Sequence, residues 1–158
     1  MGHSGMQHAT LALLLEPDYL WLGCKKRGFG KGKLNGFGGK QEGNETIEEA
    51  MLRELMAEAH VQAIRYEKVG ELTYRFEHEP SWNQVVHIYR VSEWQGVPKE
   101  SEEMTCEKFP LTAIPYDRMW DNDKQWLPHV LAGKKVKGAV VHTDKTTVDA
   151  KIDIVDHF

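Results

Sequence analysis

A glycine-rich loop that leads directly into a carboxylate-rich helix constrains this chain more than any other stretch. The loop and the helix occupy residues 38–61. Thr46 can cap the helix, since Glu49 three residues later completes the capping-box pattern. We therefore expect a loop-to-helix junction here, with glycine backbone that a phosphate group can approach closely.

The helix carries an apolar stripe and a pair of carboxylates side by side. Ile47, Met51 and Leu55 recur at every fourth position, which predicts a face packed on a core. Glu54 and Glu58 are also four residues apart and therefore share a face. Such a pair belongs either to a solvated acidic surface or to a site for a hard cation, because carboxylate oxygens favour Mg²⁺, Mn²⁺ or Ca²⁺ over zinc.

The whole stretch resembles the Nudix box, the signature of the Nudix hydrolase family. That signature is Gly, five residues, Glu, seven residues, Arg-Glu-aliphatic, one residue, Glu-Glu, one residue, Gly-aliphatic. Two positions depart from it, because Ala57 replaces the first Glu of the pair and His60 replaces the Gly. The matching residues are Gly39, Glu45, Arg53, Glu54, Leu55, Glu58 and Val61.

Similarity to the MutT-like branch of the family extends beyond the box. It includes the runs Lys-Lys-Arg-Gly-Phe-Gly at 25–30 and Asn-Gly-Phe-Gly-Gly-Lys at 35–40. The resemblance implies an α/β fold, the Nudix α/β/α sandwich with a mixed β-sheet between helices. It also implies Mg²⁺-dependent hydrolysis of oxidised purine nucleoside triphosphates such as 8-oxo-dGTP to the monophosphate and pyrophosphate, with Mn²⁺ as an alternative cofactor.

Carried over position by position, the resemblance assigns roles to three sets of residues. Glu54, Glu58 and Arg53 would be catalytic, with Arg53 paired to Glu45 so that the loop is braced against the helix. The metal ligands would be the Gly38 carbonyl, Glu54, Glu58 and Glu103. The substrate pocket would be formed by Thr10, Lys25, Phe29, Asn35, Phe37, Tyr74, Phe76, Met104, Trp120, Asn122 and Asp123.

Ala57 is the departure with the largest chemical consequence. A methyl group cannot bind a metal, so one ligand of the family pattern is missing, although Mg²⁺ keeps waters readily and a water can fill the position. We expect weaker metal binding and slower turnover. His60 ends the helix, where left-handed backbone would cost about 1 kcal/mol. Two of the assigned residues have a structural alternative. Glu103 can be a solvated loop acid, and Trp120 can be a core side chain.

Asn122 and Asp123 stand where the resemblance expects two aspartates. An amide has a fixed donor and a fixed acceptor and cannot change protonation. Without a second carboxylate at position 122, Asp123 should escape like-charge repulsion, stay ionised at neutral pH and act as an acceptor. The pair therefore predicts a preference for a guanine-type edge over an adenine-type edge.

Three functions remain open on the sequence. The first is the sanitising hydrolase for oxidised purine nucleotides that the resemblance implies. The second is a Nudix hydrolase for another nucleoside diphosphate derivative, such as a dinucleoside polyphosphate or a nucleotide sugar. The third is a catalytically weak nucleotide-binding module, which only Ala57 favours.

Composition limits the class of protein further. With 158 residues and a net charge of -4, we expect a single Nudix domain over residues 1–158, with its box at 39–61 and no nucleic-acid polymer as partner. Two cysteines are too few for a disulfide framework, which favours a cytoplasmic protein. No apolar run reaches the roughly 20 residues of a membrane span, and we expect a monomer.

Hydrophobic periodicity predicts seven strands and a second helix in addition to the box helix. The second helix should run from the Asp121–Asp123 region to Ala132 and end at Gly133. Residues 92–103 should form an acidic loop, and the last two strands should form a hairpin. The predicted strands are 10–15, 19–24, 63–76, 85–91, 104–109, 136–141 and 146–155.

Overall fold

The protein is described here by a computed structural model that covers residues 6–28, 30–143 and 148–158. Two α-helices are described, α1 at Ile47–Ala59 and α2 at Asp123–Leu131. Neither is long and apolar enough to cross a membrane. The strands are β1 Gln7–Leu15, β2 Tyr19–Cys24, β3 Leu34–Asn35, β4 Gln62–Phe76, β5 Gln84–Gln95, β6 Glu107–Pro110, β7 Lys135–His142 and β8 Val148–Val155.

The strands form one mixed sheet in the order β3-β2-β1-β5-β4-β7-β8, with β6 paired to β2. β1 runs parallel to β5 and β4 runs parallel to β7, whereas the other pairs are antiparallel. β1 therefore lies inside the sheet, between β2 and β5. The predicted mixed sheet between helices is confirmed.

The two faces of the sheet bury two separate cores, because successive residues of a strand point to opposite faces. On one face, Trp126 and Val130 of α2 pack in a cluster with Leu13 of β1. On the other face, Met51 and Leu55 of α1 pack in a cluster that includes Ala12 and Leu14 of β1. α1 and α2 therefore cover opposite sides of β1, which gives the three-layer arrangement.

Several local predictions are confirmed. The Thr46–Glu49 capping box forms at the start of α1, with both of its hydrogen bonds present. His60 ends α1 in the left-handed conformation with φ 61°. The long strand β4 is broken by register shifts, and β7 and β8 form the terminal hairpin.

Several boundaries differ from the sequence prediction, among them the start of β1, which lies at Gln7. Ser92–Gln95 continue β5 instead of opening the acidic loop, because Ala63 and its neighbours in β4 supply a pairing partner as far as Gln95. The strand expected at 104–109 is displaced to Glu107–Pro110. α2 begins at Asp123, inside the predicted start region, but the Asn122 side chain at its N-cap makes no capping hydrogen bond.

Candidate active site

The glycine loop lies along β1 as an irregular extra strand. The Thr10 N–H donates to the Gly39 carbonyl at 2.9 Å. A Cβ at Gly38 would lie 1.9 Å from the Thr10 carbonyl oxygen, and one at Gly36 would lie 2.7 Å from the Ala12 carbonyl oxygen. Both distances are shorter than side-chain carbons tolerate, so the close approach of two backbones requires glycine at these positions.

Arg53 joins this loop to α1. Its Nε and Nη2 donate to the two carboxylate oxygens of Glu45 at 3.0 and 2.6 Å, and Nη2 also donates to the Lys40 carbonyl at 3.0 Å. Its Nη1 donates to Glu54 Oε1 at 2.5 Å. The Arg53 guanidinium lowers the pKa of Glu45. The predicted pairing of Arg53 with Glu45 is confirmed, and the same arginine fixes Glu54.

Glu58 is the buried carboxylate of the helix, with 8% of its surface exposed. Its Oε1 accepts a hydrogen bond from the Gly38 N–H at 2.8 Å. Burial raises the pKa of Glu58 to about 7, and the carboxylates of Glu54 and Glu103 also raise it, whereas the Gly38 N–H and Lys25 lower it. The carboxylates of Glu54 and Glu103 thus lie near enough to repel that of Glu58, and a cation beside Glu58 would relieve that repulsion.

Glu54 is the second carboxylate that α1 presents to the loop. A Cβ added at Gly39 would lie 2.7 Å from the carboxylate carbon of Glu54, so the side chain rests directly on bare backbone. Gly38 therefore positions Glu58 through its N–H. Gly39 leaves room for Glu54 because it has no side chain.

Glu103 approaches from the loop that follows β5. It accepts hydrogen bonds from Arg27, with Nη2 at 2.5 Å and Nε at 3.1 Å, and this pairing lowers the pKa of Glu103. Ala57 is exposed on α1 and lines a shallow groove with Lys26 and residues 100–103. The position of the missing family carboxylate thus faces an acidic loop that already carries two ion pairs, Lys26–Glu100 and Arg27–Glu103.

The residues present fit a hard divalent cation. The available donors are carboxylate and carbonyl oxygens, which Mg²⁺ and Mn²⁺ prefer. The buried Glu58 carboxylate, with a pKa raised by burial, is the kind of group that gains most from a nearby cation. Among the described residues no three His, Cys, Asp or Glu side chains are already gathered at metal-binding distances.

A cavity of about 430 Å³ opens beside this loop. Its size is in the range of small-molecule sites. It brings together Gly38 and Glu58 at the loop with predicted base-contacting side chains from β4 and from the start of α2. The predicted site residues that line it are Thr10, Lys25, Asn35, Gly38, Glu58, Tyr74, Phe76, Met104, Trp120, Asn122 and Asp123.

Among the described residues predicted to contact substrate, one does not line the cavity. Phe37 is fully buried and packs with Met51 and Leu55 in the core under α1, so its side chain points away from the cavity. The prediction for Phe37 is wrong because successive residues paired with β1 point to opposite faces of the sheet. The Phe37 side chain points to the α1 face, together with Ala12. Phe29 lies outside the described residues. Arg53, Glu54 and Glu103 border the loop but are not part of the cavity wall.

Sequence reasoning missed part of the cavity wall. The alternation of β1 predicts that Ala9 and Leu11 share one face, and this signal could have found them. Other wall residues come from strand ends and loops whose proximity no local pattern encodes. The additional lining residues are Gln7, Ala9, Leu11, Gly30, Lys33, Gly36, Gly39, Lys40, Trp82, Gln84, Val86 and His142.

Asp123 is the buried acid at the α2 end of the cavity, with 3% of its surface exposed. Its Oδ1 accepts from the Trp126 indole N–H at 3.1 Å and its Oδ2 accepts from the Trp120 N–H at 3.2 Å. Burial raises the pKa of Asp123 to about 6, and Asp121 also raises it, whereas these hydrogen bonds and Lys33 lower it. The sequence argument considered like-charge repulsion and missed this effect of burial, but a pKa of about 6 still leaves Asp123 mostly ionised at neutral pH, as expected.

Aromatic side chains form two parts of the cavity wall. Trp120 is partly exposed, and Lys33 Nζ lies 5.6 Å from the centre of its ring. At the ends of β4 and β7, Phe76 stacks on His142 with ring centres 4.6 Å apart, and Trp82 meets Phe76 edge-on at 5.7 Å. Burial lowers the pKa of His142, which keeps this imidazole neutral. The wall can therefore stack on a flat ring without adding charge.

Comparison with known protein sequences gives matches over most of the chain. A sequence model of the NUDIX domain matches residues 6–130. The oxidized purine nucleoside triphosphate hydrolase of Mus musculus is 41% identical over 139 residues, covering 88% of this chain and 88% of the mouse protein. The protein of the same name from Danio rerio is 42% identical over 129 residues, covering 82% of each chain.

Solved structures share the fold. A mutator MutT protein from Bacillus halodurans superposes with a TM-score of 0.81 over 94% of this chain and 98% of its own, at 22% identity. An ADP-ribose pyrophosphatase from Streptococcus suis superposes with a TM-score of 0.57 over 80% of this chain and 90% of its own, at 20% identity. At these identities the superpositions show the fold alone.

The raised pKa of Asp123 predicts a pH-dependent cost to stability. The folded pKa of about 6 exceeds the unfolded value of 3.8, so Asp123 destabilises the fold above about pH 6, and this cost disappears below about pH 4. Asp123→Asn should therefore raise the melting temperature at about pH 8 by roughly 4–8 °C, allowing for one lost hydrogen bond, and the gain should vanish at about pH 4.

Thermal unfolding at both pH values checks this expectation. Asp117→Asn is the matched control, because it makes the same substitution at an exposed aspartate. If Asp123→Asn melts below the parent protein at about pH 8, the ionised Asp123 does not lower the free energy of unfolding, which contradicts this prediction.

Proposed function

The chain belongs to the Nudix hydrolase family, and we propose that it hydrolyses oxidised purine nucleoside triphosphates such as 8-oxo-dGTP to the monophosphate and pyrophosphate. This activity removes damaged precursors from the nucleotide pool before they reach DNA. One observation carries the proposal: Glu58 and the glycine loop line the same cavity as Asn122 and Asp123. A single nucleotide can therefore meet the hydrolytic carboxylates and the base-reading groups together.

Nudix hydrolases generally need divalent cations, usually Mg²⁺. For this chain we propose Mg²⁺, with Mn²⁺ as a substitute, held by the Gly38 carbonyl, Glu54, Glu58 and Glu103. When bound, such a cation neutralises charge on phosphate oxygens and lowers the pKa of water. The chain's own part is to hold the oxygens in place. The Gly38 N–H fixes Glu58 at 2.8 Å and Arg53 fixes Glu54 at 2.5 Å.

The phosphates and the base are assigned to different groups of side chains. Lys25 lines the cavity next to Glu58 and lowers its pKa, so its charge is available to a polyphosphate at the hydrolytic end. Trp120 is assigned the face of the base, since aromatic rings stack on bases. Asn35, Asn122 and Asp123 are assigned the polar edge of the base, because they are among the amide and carboxylate groups of the cavity wall.

A second candidate is a nucleotide-binding module with weak catalysis. The exposed methyl of Ala57 supports it, because this position supplies a carboxylate in the Nudix box. Against it stand Glu54 and Glu103, which remain close enough to Glu58 to raise its pKa. We therefore favour an active enzyme whose demand for metal is higher than the full box would give.

The same proposal includes the setting in which the enzyme acts. We propose a single domain over residues 1–158, supported by one continuous sheet, and we propose that it works as a monomer. Cys24 and Cys106 are both free thiols, which supports a reducing, cytoplasmic location.

Glu58→Gln should abolish metal-dependent hydrolysis while leaving the fold intact. The amide oxygen can still accept from the Gly38 N–H, but the charge that holds a cation is gone. We expect kcat with saturating Mg²⁺ to fall by at least about 100-fold, because even residues that only support metal ligands cost 10–100-fold. Glu48→Gln, on the exposed part of the same helix, is the matched control. Near-normal activity of Glu58→Gln would remove this carboxylate from the mechanism.

Ala57→Glu should lower the Mg²⁺ concentration that gives half-maximal rate. The new carboxylate would restore the family pattern on the face of α1 toward residues 100–103. Ala57→Gln separates the effect of charge from that of side-chain length, and it should leave the metal requirement unchanged. If Ala57→Glu leaves the requirement unchanged or raises it, a carboxylate of that loop already serves this position.

The parent protein should prefer 8-oxo-dGTP to 2-hydroxy-dATP. The ionised Asp123 accepts hydrogen bonds, which suits the N1–H and N2–H₂ donors of a guanine-type edge. A buried polar mismatch costs about 1–3 kcal/mol, so kcat/KM should differ by roughly tenfold or more. Asn122→Asp should broaden the range, because a second carboxyl group can change its protonation. Equal kcat/KM values for the two nucleotides in the parent protein would disprove this account of the base edge.

A further inference from the structure

The side-chain amide of Asn122 is held by one specific contact inside the cavity. Asn122 has 3% of its surface exposed and lines the cavity at the start of α2. Its Nδ2 donates to the hydroxyl of Tyr74 at 3.0 Å. The amide nitrogen carries two N–H donors and the amide oxygen is an acceptor, so this bond engages one donor and sets the direction in which the oxygen points.

Tyr74 reaches this position from the middle of the sheet. It lies on β4, paired with Gln84 of β5 and with Val140 of β7, and it packs against the core on the α2 side. Its ring is therefore held by two neighbouring strands, and its hydroxyl is a fixed point. The hydroxyl also lies near Asp123, whose charge adds to burial in raising the pKa of Tyr74. The tyrosine thus stays protonated.

We propose that Tyr74 is a positioning residue that sets base preference by holding the Asn122 amide with its nitrogen engaged and its oxygen available to the substrate. The inference rests on the proposed function and deepens it. In this arrangement a purine base meets the Asn122 amide oxygen and not the amide nitrogen. The Tyr74 hydroxyl then has a role beyond forming the cavity wall.

The consequence for recognition follows from counting donors and acceptors. With Nδ2 of Asn122 engaged by Tyr74, the amide oxygen and the Asp123 carboxylate both offer acceptors. Two acceptors match the adjacent N1–H and N2–H₂ donors of a guanine-type edge. An adenine-type edge presents an acceptor ring nitrogen, which needs a donor from the protein. Freeing the amide to rotate would supply that donor and weaken the discrimination.

Tyr74→Phe tests this arrangement, because it removes the hydroxyl and keeps the ring. The measured quantity is the ratio of kcat/KM for 8-oxo-dGTP to that for 2-hydroxy-dATP. We expect the ratio to fall about tenfold, the size of one buried hydrogen-bond mismatch. Tyr89→Phe is the matched control, since Tyr89 is buried on the opposite face of the sheet and should leave the ratio unchanged.

A double-mutant cycle separates positioning from a structural effect. In an Asn122→Ala background the amide is absent, so Tyr74→Phe should change the ratio no further. Metal-free binding of 8-oxo-dGMP and 2-hydroxy-dAMP provides a second readout that does not depend on catalysis, and Tyr74→Phe should narrow the difference between their Kd values.

Each outcome decides the inference. An unchanged ratio in Tyr74→Phe, or an equal change with and without the Asn122 amide, would overturn it while leaving the proposed function intact. A parent protein that neither hydrolyses nor binds either oxidised nucleotide would overturn the proposed function and this inference together. A fall in the ratio that requires Asn122 supports both.

Discussion

The close approach of the glycine loop to β1 is the constraint on which the rest of the site depends. A Cβ at Gly38 would lie 1.9 Å from the Thr10 carbonyl oxygen, so only glycine lets the two backbones meet. That approach directs the Gly38 N–H to Glu58, at 2.8 Å, and so fixes a carboxylate that is nearly buried. Burial disfavours the ionised form of this carboxyl group, and a bound cation would favour that form, which is consistent with the proposed metal dependence.

β1 is the strand against which both helices of the site pack. Its alternate residues pack with α1 on one face and with α2 on the other. The position of each helix is therefore set by packing against the same strand. α1 supplies the hydrolytic carboxylates and the start of α2 supplies Asn122 and Asp123. One cavity meets both sets. A nucleotide carries its phosphates at one end and its base at the other. It can therefore contact the carboxylates of α1 and the polar groups at the start of α2 at the same time.

Local sequence patterns predicted those features that depend on neighbours in the chain. The Thr46–Glu49 capping box follows from spacing within one helix, whereas the helix end at His60 and the Arg53–Glu45 pair follow from the resemblance to the Nudix box. Features set by distant packing were not predictable. The direction of Phe37 depends on its register with β1, and the extension of β5 to Gln95 depends on the length of β4. The raised pKa of Asp123 depends on burial under several elements, which a search for neighbouring charges in the sequence could not reveal.

The most direct test of the central claim is a panel of pyrophosphate-release rates measured with Mg²⁺. The panel contains 8-oxo-dGTP, dGTP, a nucleotide sugar and a dinucleoside polyphosphate, each at several concentrations so that kcat/KM is obtained. A cavity that joins the hydrolytic carboxylates to a purine-reading edge predicts the highest kcat/KM for 8-oxo-dGTP, with the monophosphate and pyrophosphate as products. A higher kcat/KM for the nucleotide sugar or the dinucleoside polyphosphate, or no hydrolysis of any of the four, would contradict it.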